Sequence, residues 1–85
     1  MDRTEIVAAV SDACVELLKA DRSSLNEDTR FGDDLDADSL DLVEVVMSLE
    51  DRFGIAIPED DLDGVETIGQ AVALVQARLT DETRK

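Results

Sequence analysis

Residues 34–41 read Asp-Leu-Asp-Ala-Asp-Ser-Leu-Asp, and they mark the point where a polar loop gives way to a helix. Asp38 is a favoured N-cap residue, and Asp41 lies three positions later, as in the reciprocal capping box of a helix N-terminus. Apolar residues then recur at helical spacing, and Gly54 follows them: Leu42, Val45, Val46, Leu49 and Phe53. These signals predict a helix that begins at Ser39 and ends at Gly54.

Two further amphipathic segments flank this helix. The first covers residues 4–20, and its apolar residues at three- and four-residue spacing are Ile6, Val7, Val10, Cys14, Leu17 and Leu18. The second runs from Thr67 to about Leu79, and its apolar stripe consists of Ile68, Ala71, Val72, Leu74, Val75 and Leu79. Both patterns predict helices that bury one face.

The connecting segments are predicted from their turn residues. Residues 21–37 lose the helical period and form a long loop, which we expect to be pinned by Leu25, Phe31 and Leu35. Residues 55–57 form a short extended piece, and Pro58 favours the first turn of a short helix over residues 59–63. The sequence therefore predicts an all-α fold, a small bundle of three main helices plus one short helix, with a long first loop. Residues 1–80 form one domain and residues 81–85 a polar C-terminal tail.

Charge restricts the partners. The chain of 85 residues has 22 acidic and 8 basic side chains, a net charge of -14, and thirteen of the acids lie in residues 33–66. A field of this sign repels nucleic acids and anionic lipids, so we expect no nucleic acid partner and no membrane insertion. Basic patches on other proteins are the expected partners. No apolar run is long enough for a signal core or membrane span, and we expect a monomer in the cytoplasm.

The chemical inventory argues against an enzyme. The chain has no histidine, which excludes Ser-His and Cys-His nucleophilic pairs and histidine-ligated zinc. The single cysteine, Cys14, cannot form an internal disulfide, and its place in the apolar stripe of the first helix predicts a small core residue. We therefore expect no catalytic residues and no metal ligands.

Ser39 is the candidate site. A serine at the first helical position meets unsatisfied backbone N–H groups and the positive end of the helix dipole, which together accommodate a phosphate ester. Asp38 and Asp41 would repel a free anion, so their use is to recruit a cationic enzyme or a divalent metal.

Residues 36–41, followed by Val43-Glu44 and residues 47–50, closely resemble the phosphopantetheine attachment site and second helix of acyl carrier proteins. The resemblance extends over nearly the whole chain, through the first helix, the long loop, residues 53–59 and residues 67–72. It departs from the family at Asp36, where many relatives have glycine. The acidic residue before Ser39 favours an acyl rather than a peptidyl carrier.

The resemblance implies a function. A phosphopantetheinyl transferase would attach 4'-phosphopantetheine from coenzyme A to Ser39, beside Asp38 and Leu40, and the thiol of the arm would carry acyl groups as thioesters. Residues 1–80 would be the carrier domain, free-standing, in fatty acid or polyketide biosynthesis. Acyl transferases, ketosynthases and other pathway enzymes would be the further partners.

Two surfaces are expected beside Ser39. The face that partner enzymes recognise consists of Asp41, Val43, Glu44, Met47, Glu50 and Asp51. The pocket for the acyl chain consists of Leu42, Val46, Leu49, Ile57, Leu62, Ile68 and Ala71.

Two alternatives leave Ser39 unmodified. A small acidic regulatory or adaptor domain fits the charge. Weak calcium binding is the other, but neither acidic run completes an EF-hand loop: the first has Ser39 in place of the turn glycine and Val45 in place of the last glutamate, and the second ends on Gln70.

Overall fold

A computed structural model describes residues 2–83 of the chain, with side chains up to Leu79. Three helices form the fold: α1 is Arg3–Leu18, α2 is Ser39–Phe53 and α3 is Ile68–Thr83. Two short 3-10 helices lie between them, at Arg22–Ser24 and Glu59–Leu62. Within the described residues there is no β-strand, and Arg30 and Thr67 form one isolated antiparallel bridge. The predicted all-α fold is confirmed.

The core forms where α1 packs against both α2 and α3. Each helix contributes aliphatic residues, and the connecting segments add Phe31, Ile55 and Ile57. The buried set is Ile6, Ala9, Val10, Ala13, Cys14, Phe31, Val45, Val46, Leu49, Ile55, Ile57, Ile68, Ala71, Val72 and Val75. Burial raises the pKa of the Cys14 thiol to about 11, so Cys14 is an unreactive core residue, as predicted.

The first helix differs from its prediction at the C-terminal end. It ends at Leu18 because Lys19 turns into the left-handed region, with φ 59°, and the N–H of Ala20 donates to the carbonyl of Cys14 at 3.3 Å. Leu17 was expected in the buried stripe, but it is 39% exposed. Leu18 packs against the core instead.

The loop 21–37 is more ordered than its composition predicts. Asp21 caps the 3-10 helix at Arg22–Ser24 by accepting a hydrogen bond from the N–H of Ser23 at 3.1 Å. Phe31 is buried, while Leu25 and Leu35 are partly buried against the core, as predicted. The loop is tied to the start of α3, since the N–H of Ile68 donates to Thr29 and the N–H of Gly69 to Glu27.

The segment between α2 and α3 follows its prediction closely. Ile55 and Ile57 are buried and Ala56 between them is exposed, the alternation of an extended chain. The short helix is a 3-10 helix that ends at Leu62, one residue earlier than expected. At the other end of α3, the helix continues to Thr83, so residues 81–83 are helical and only residues 84–85 of the expected tail lie outside the described residues.

Candidate functional site

The loop before Ser39 closes on itself through hydrogen bonds of its own backbone. The carbonyl of Arg30 accepts from the N–H groups of Asp34 at 3.0 Å and Leu35 at 3.2 Å, and the N–H of Ala37 donates to Phe31 at 2.8 Å. Asp36 adopts a left-handed conformation, with φ 55°. This turn brings the chain to Asp38 in a defined direction.

Asp38 and Asp41 then start the helix. The N–H of Asp41 donates to the carboxylate of Asp38 at 2.9 Å, and the N–H of Asp38 donates to the carboxylate of Asp41 at 3.2 Å. This is the reciprocal capping box that the sequence predicts, and Gly54 ends the helix in the left-handed region, also as predicted. Ser39 is therefore fixed as the first residue of α2.

Ser39 is exposed, and it lies at the edge of two open grooves. One, which we name the loop groove, has a volume of about 220 Å³ and is lined by residues 30–33 and 37–39 with Leu42, Val65 and Glu66. The other, the short-helix groove, has a volume of about 380 Å³ and is lined by Ser39, Leu40, Leu42, Val43, Glu59, Leu62 and Asp63. A group attached to Ser39 has space on either side.

The outer face of α2 is both acidic and apolar. Leu40 and Met47 are 72% and 57% exposed, and their spacing of seven residues places them on one stripe. Glu44 and Asp51 are exposed on the same stripe. Leu40, which the sequence assigns only to the prosthetic-group site, thus belongs to this face as well, and helical phase would have shown it.

Three residues expected on the face that partner enzymes recognise are less exposed than predicted. Val43 is half-buried and lines the short-helix groove. Asp41 is half-buried in the capping box. Glu50 is half-buried because its carboxylate accepts a hydrogen bond from the N–H of Ile57 at 2.7 Å, which fastens the chain after α2.

The residues expected to hold the acyl chain fall into two groups. Leu42 and Leu62 are partly buried and line the grooves beside Ser39. The others are in the closed core: Val46, Leu49, Ile57, Ile68 and Ala71. In this conformation the helices would have to separate before a chain could reach that second group.

The loop groove also contains residues that sequence reasoning missed. Arg30, Phe31 and Gly32 come from the loop, and Val65 and Glu66 from the turn before α3. The N–H of Phe31 donates to the carbonyl of Glu66 at 2.9 Å, which joins the two segments. No periodic pattern in the sequence signals this pairing.

The two acidic runs do not form a metal centre within the described residues, where no group of three or more Asp, Glu or Cys side chains is placed to hold a metal ion. The carboxylate of Asp34 accepts from the N–H of Arg30 at 2.8 Å, and that of Asp38 caps α2. No helix of the described chain has the length and apolar character needed to cross a membrane.

Comparison with known proteins now identifies the family. The family model described as the phosphopantetheine attachment site matches residues 8–75. The acyl carrier protein of Lactobacillus johnsonii is 43% identical over 77 residues, which cover 91% of this chain and 96% of that protein. The chain belongs to the acyl carrier protein family. Its prosthetic group is 4'-phosphopantetheine, and it carries acyl groups.

Solved structures of carriers share the fold. The acyl carrier protein of Enterococcus faecalis superposes with a TM-score of 0.76 at 31% identity, covering 92% of this carrier and 99% of that chain. The hexanoyl carrier of the actinorhodin polyketide synthase of Streptomyces coelicolor gives 0.71 at 30% identity, with 95% and 93% covered. A carrier of this family interacts with the enzymes of its pathway and with a phosphopantetheinyl transferase.

Proposed function

We propose that Ser39 is the residue that carries the 4'-phosphopantetheine arm. The observation that supports this is the position of its hydroxyl: exposed, at the first residue of a capped helix, and between two open grooves. The described residues fit the group, because no bulky side chain closes the approach and helix N-terminal N–H groups favour a phosphate ester. When attached, the arm supplies a thiol that holds acyl groups as thioesters.

The chain itself supplies placement rather than catalysis. Asp38 and Asp41 hold the start of α2, and residues 30–37 form a hydrogen-bonded turn, so that Ser39 is presented at a fixed point. We infer that the protein is not an enzyme, that it serves fatty acid or polyketide biosynthesis, and that residues 1–80 are its carrier domain. The transferase and the pathway enzymes then bind the outer face of α2.

Modification of Ser39 is tested by intact-mass spectrometry. Incubation with coenzyme A, magnesium and a broad-specificity phosphopantetheinyl transferase is expected to add one phosphopantetheine to the wild-type protein and none to Ser39→Ala. The matched control is Ser48→Ala, since Ser48 lies on the same helix but away from its capped end. A wild-type protein that stays unmodified, or a Ser39→Ala variant that is loaded, would contradict the proposal.

The acyl pocket is the second part of the proposal. Leu42 and Leu62 line the short-helix groove, where an acyl chain on the arm first meets apolar surface, and the five core residues behind them become accessible only if α2 and the short helix at Glu59–Leu62 separate. This ordering explains how a thin core can shelter a chain without a permanent cavity.

A further inference from the structure

Arg30 lies on the loop groove together with Ser39. It is the only Lys or Arg among the residues that line either of the two grooves beside Ser39 in the described chain. Its backbone is held firmly: the N–H donates to the carboxylate of Asp34 at 2.8 Å, and the residue forms the isolated bridge with Thr67. The groove therefore has one basic lining residue, and its backbone position is fixed.

The guanidinium of Arg30 is loosely engaged. It is 56% exposed, and its nitrogen lies 3.8 Å from the carboxylate of Asp33, beyond hydrogen-bond distance. Arg52, by comparison, approaches the carboxylate of Asp12 to 3.3 Å, and Arg22 bonds to that same carboxylate more closely. An exposed pair as long as that of Arg30 contributes little, so the guanidinium can change partner at small cost.

The other charged residues of the groove are acidic, so a cation there would offset repulsion of a bound anion. Three acidic residues line the groove, Asp33, Asp38 and Glu66. A phosphodiester on Ser39 adds a further negative charge beside them, and like charges at short range raise the free energy of the loaded protein. An arginine offsets this repulsion, and its fork of N–H donors matches two phosphate oxygens.

We propose that Arg30 is a positioning residue for the prosthetic group. Its guanidinium leaves Asp33 and binds the phosphodiester that joins the arm to Ser39. This inference rests on the proposed modification of Ser39. The pairing holds the first atoms of the arm at the loop groove, beside the partly buried Leu42 and Val65.

The test is NMR spectroscopy of the apo and loaded protein. In the wild type, loading is expected to shift the side-chain Nε–Hε signal of Arg30 and to leave that of Arg52 in place. Arg30→Gln is expected to shift the phosphorus signal of the loaded protein, and Arg30→Lys to shift it less, because a lysine keeps the charge but loses the fork. Asp33→Asn, which removes the competing carboxylate, is expected to enlarge the shift of the Arg30 signal.

The control is Arg52→Gln, an arginine of similar exposure whose partner Asp12 lies on α1. It is expected to leave the phosphorus signal unchanged, and about 0.5 M sodium chloride is expected to weaken the Arg30 effect alone. The inference would be overturned if the Nε–Hε signal of Arg30 did not shift on loading. Equal phosphorus shifts in Arg30→Gln and Arg52→Gln would also overturn it. Intact mass is measured on every sample, so that a failure to load Ser39 is recognised separately.

Discussion

At the scale of single residues, Asp36 shows how the chain tolerates a departure from its family. The resemblance places glycine at this position in many relatives, and the observed φ of 55° is the conformation that glycine adopts most easily. Aspartate is among the few other residues that reach it at moderate cost. The turn is closed by the N–H of Ala37, which donates to the carbonyl of Phe31 at 2.8 Å. The substitution therefore leaves the approach to Ser39 intact.

Gly69 is a residue whose small size is required by a close approach. It is the second residue of α3, and a Cβ there would lie 3.0 Å from the carbonyl oxygen of Glu27 and 3.2 Å from its Cβ. We expect Gly69→Ala to lower the free energy of unfolding by about 1–2 kcal/mol, because the clash with the backbone outweighs the gain in helix propensity. Urea denaturation followed by circular dichroism measures it.

Gly64 provides the matched control, since a Cβ at this position meets nothing within 4 Å. Gly64→Ala is expected to change the unfolding free energy by no more than about 0.5 kcal/mol. Equal stability of the two alanine variants would mean that the contact between Glu27 and Gly69 leaves room for a Cβ.

At the scale of elements, the start of α2 and its capping glycine were predicted correctly, whereas the C-terminal ends of α1 and α3 were not. The ends of α2 are set by local chemistry, the Asp38–Asp41 box and Gly54, and local chemistry can be read from sequence. α1 ends at Leu18, and the following Lys19, a residue type that gives no stop signal, adopts the left-handed conformation as the chain turns towards Asp21. Such an end depends on where the next segment packs.

The outer face of α2 supports a prediction about partner recognition. Glu44 and Asp51 are exposed beside the apolar Met47, and exposed charges of one sign speed the encounter with a basic patch. Reversing both to lysine is expected to lower kcat/KM of the transferase reaction roughly tenfold at low salt. The helical circular dichroism is expected to stay unchanged. Asp41 is unsuitable for this test, because its reversal would also break the capping box.

The control reverses Glu5 and Glu16, two exposed acids on α1. We expect that pair of substitutions to leave the transferase reaction nearly unaffected. Added salt should slow the wild-type reaction and affect the Glu44–Asp51 double variant much less. Equal damage from both pairs of reversals would place partner recognition outside α2.

At the scale of the whole molecule, the candidate site divides into a part that sequence predicts and a part that it does not. Ser39, Asp38 and the exposed stripe of α2 follow from motif and helical phase. The loop groove does not, because it forms where residues 30–33 meet Val65 and Glu66, segments joined by one bridge and a few hydrogen bonds. Contacts between irregular segments leave no periodic signal, so Arg30 could be found only in three dimensions.

Charge is distributed unevenly over the molecule. Arg22 in the loop and Arg52 on α2 both bind Asp12 on α1. They hold the pKa of the Asp12 carboxyl below its usual range, chiefly through the hydrogen bond from Arg22. Among the thirteen acids in residues 33–66, Asp33 and Asp61 pair with arginines. With 22 acids and 8 bases in the chain, fourteen negative charges are not balanced by basic side chains.

This excess predicts that salt stabilises the unloaded protein. Screening weakens the repulsion among the acids more than it weakens a few exposed ion pairs, each of which contributes little. If screening adds about 1 kcal/mol, Tm is expected to rise by roughly 4–8 °C for a domain of this size. Thermal unfolding across a sodium chloride series measures this rise in Tm.

The matched control neutralises four exposed acids of residues 33–66, Glu44→Gln, Asp51→Asn, Asp60→Asn and Asp63→Asn. This variant should begin with a higher Tm and gain less from salt, because part of the repulsion is already gone. A wild-type Tm that stays flat or falls with salt would mean that internal pairing already balances the acids.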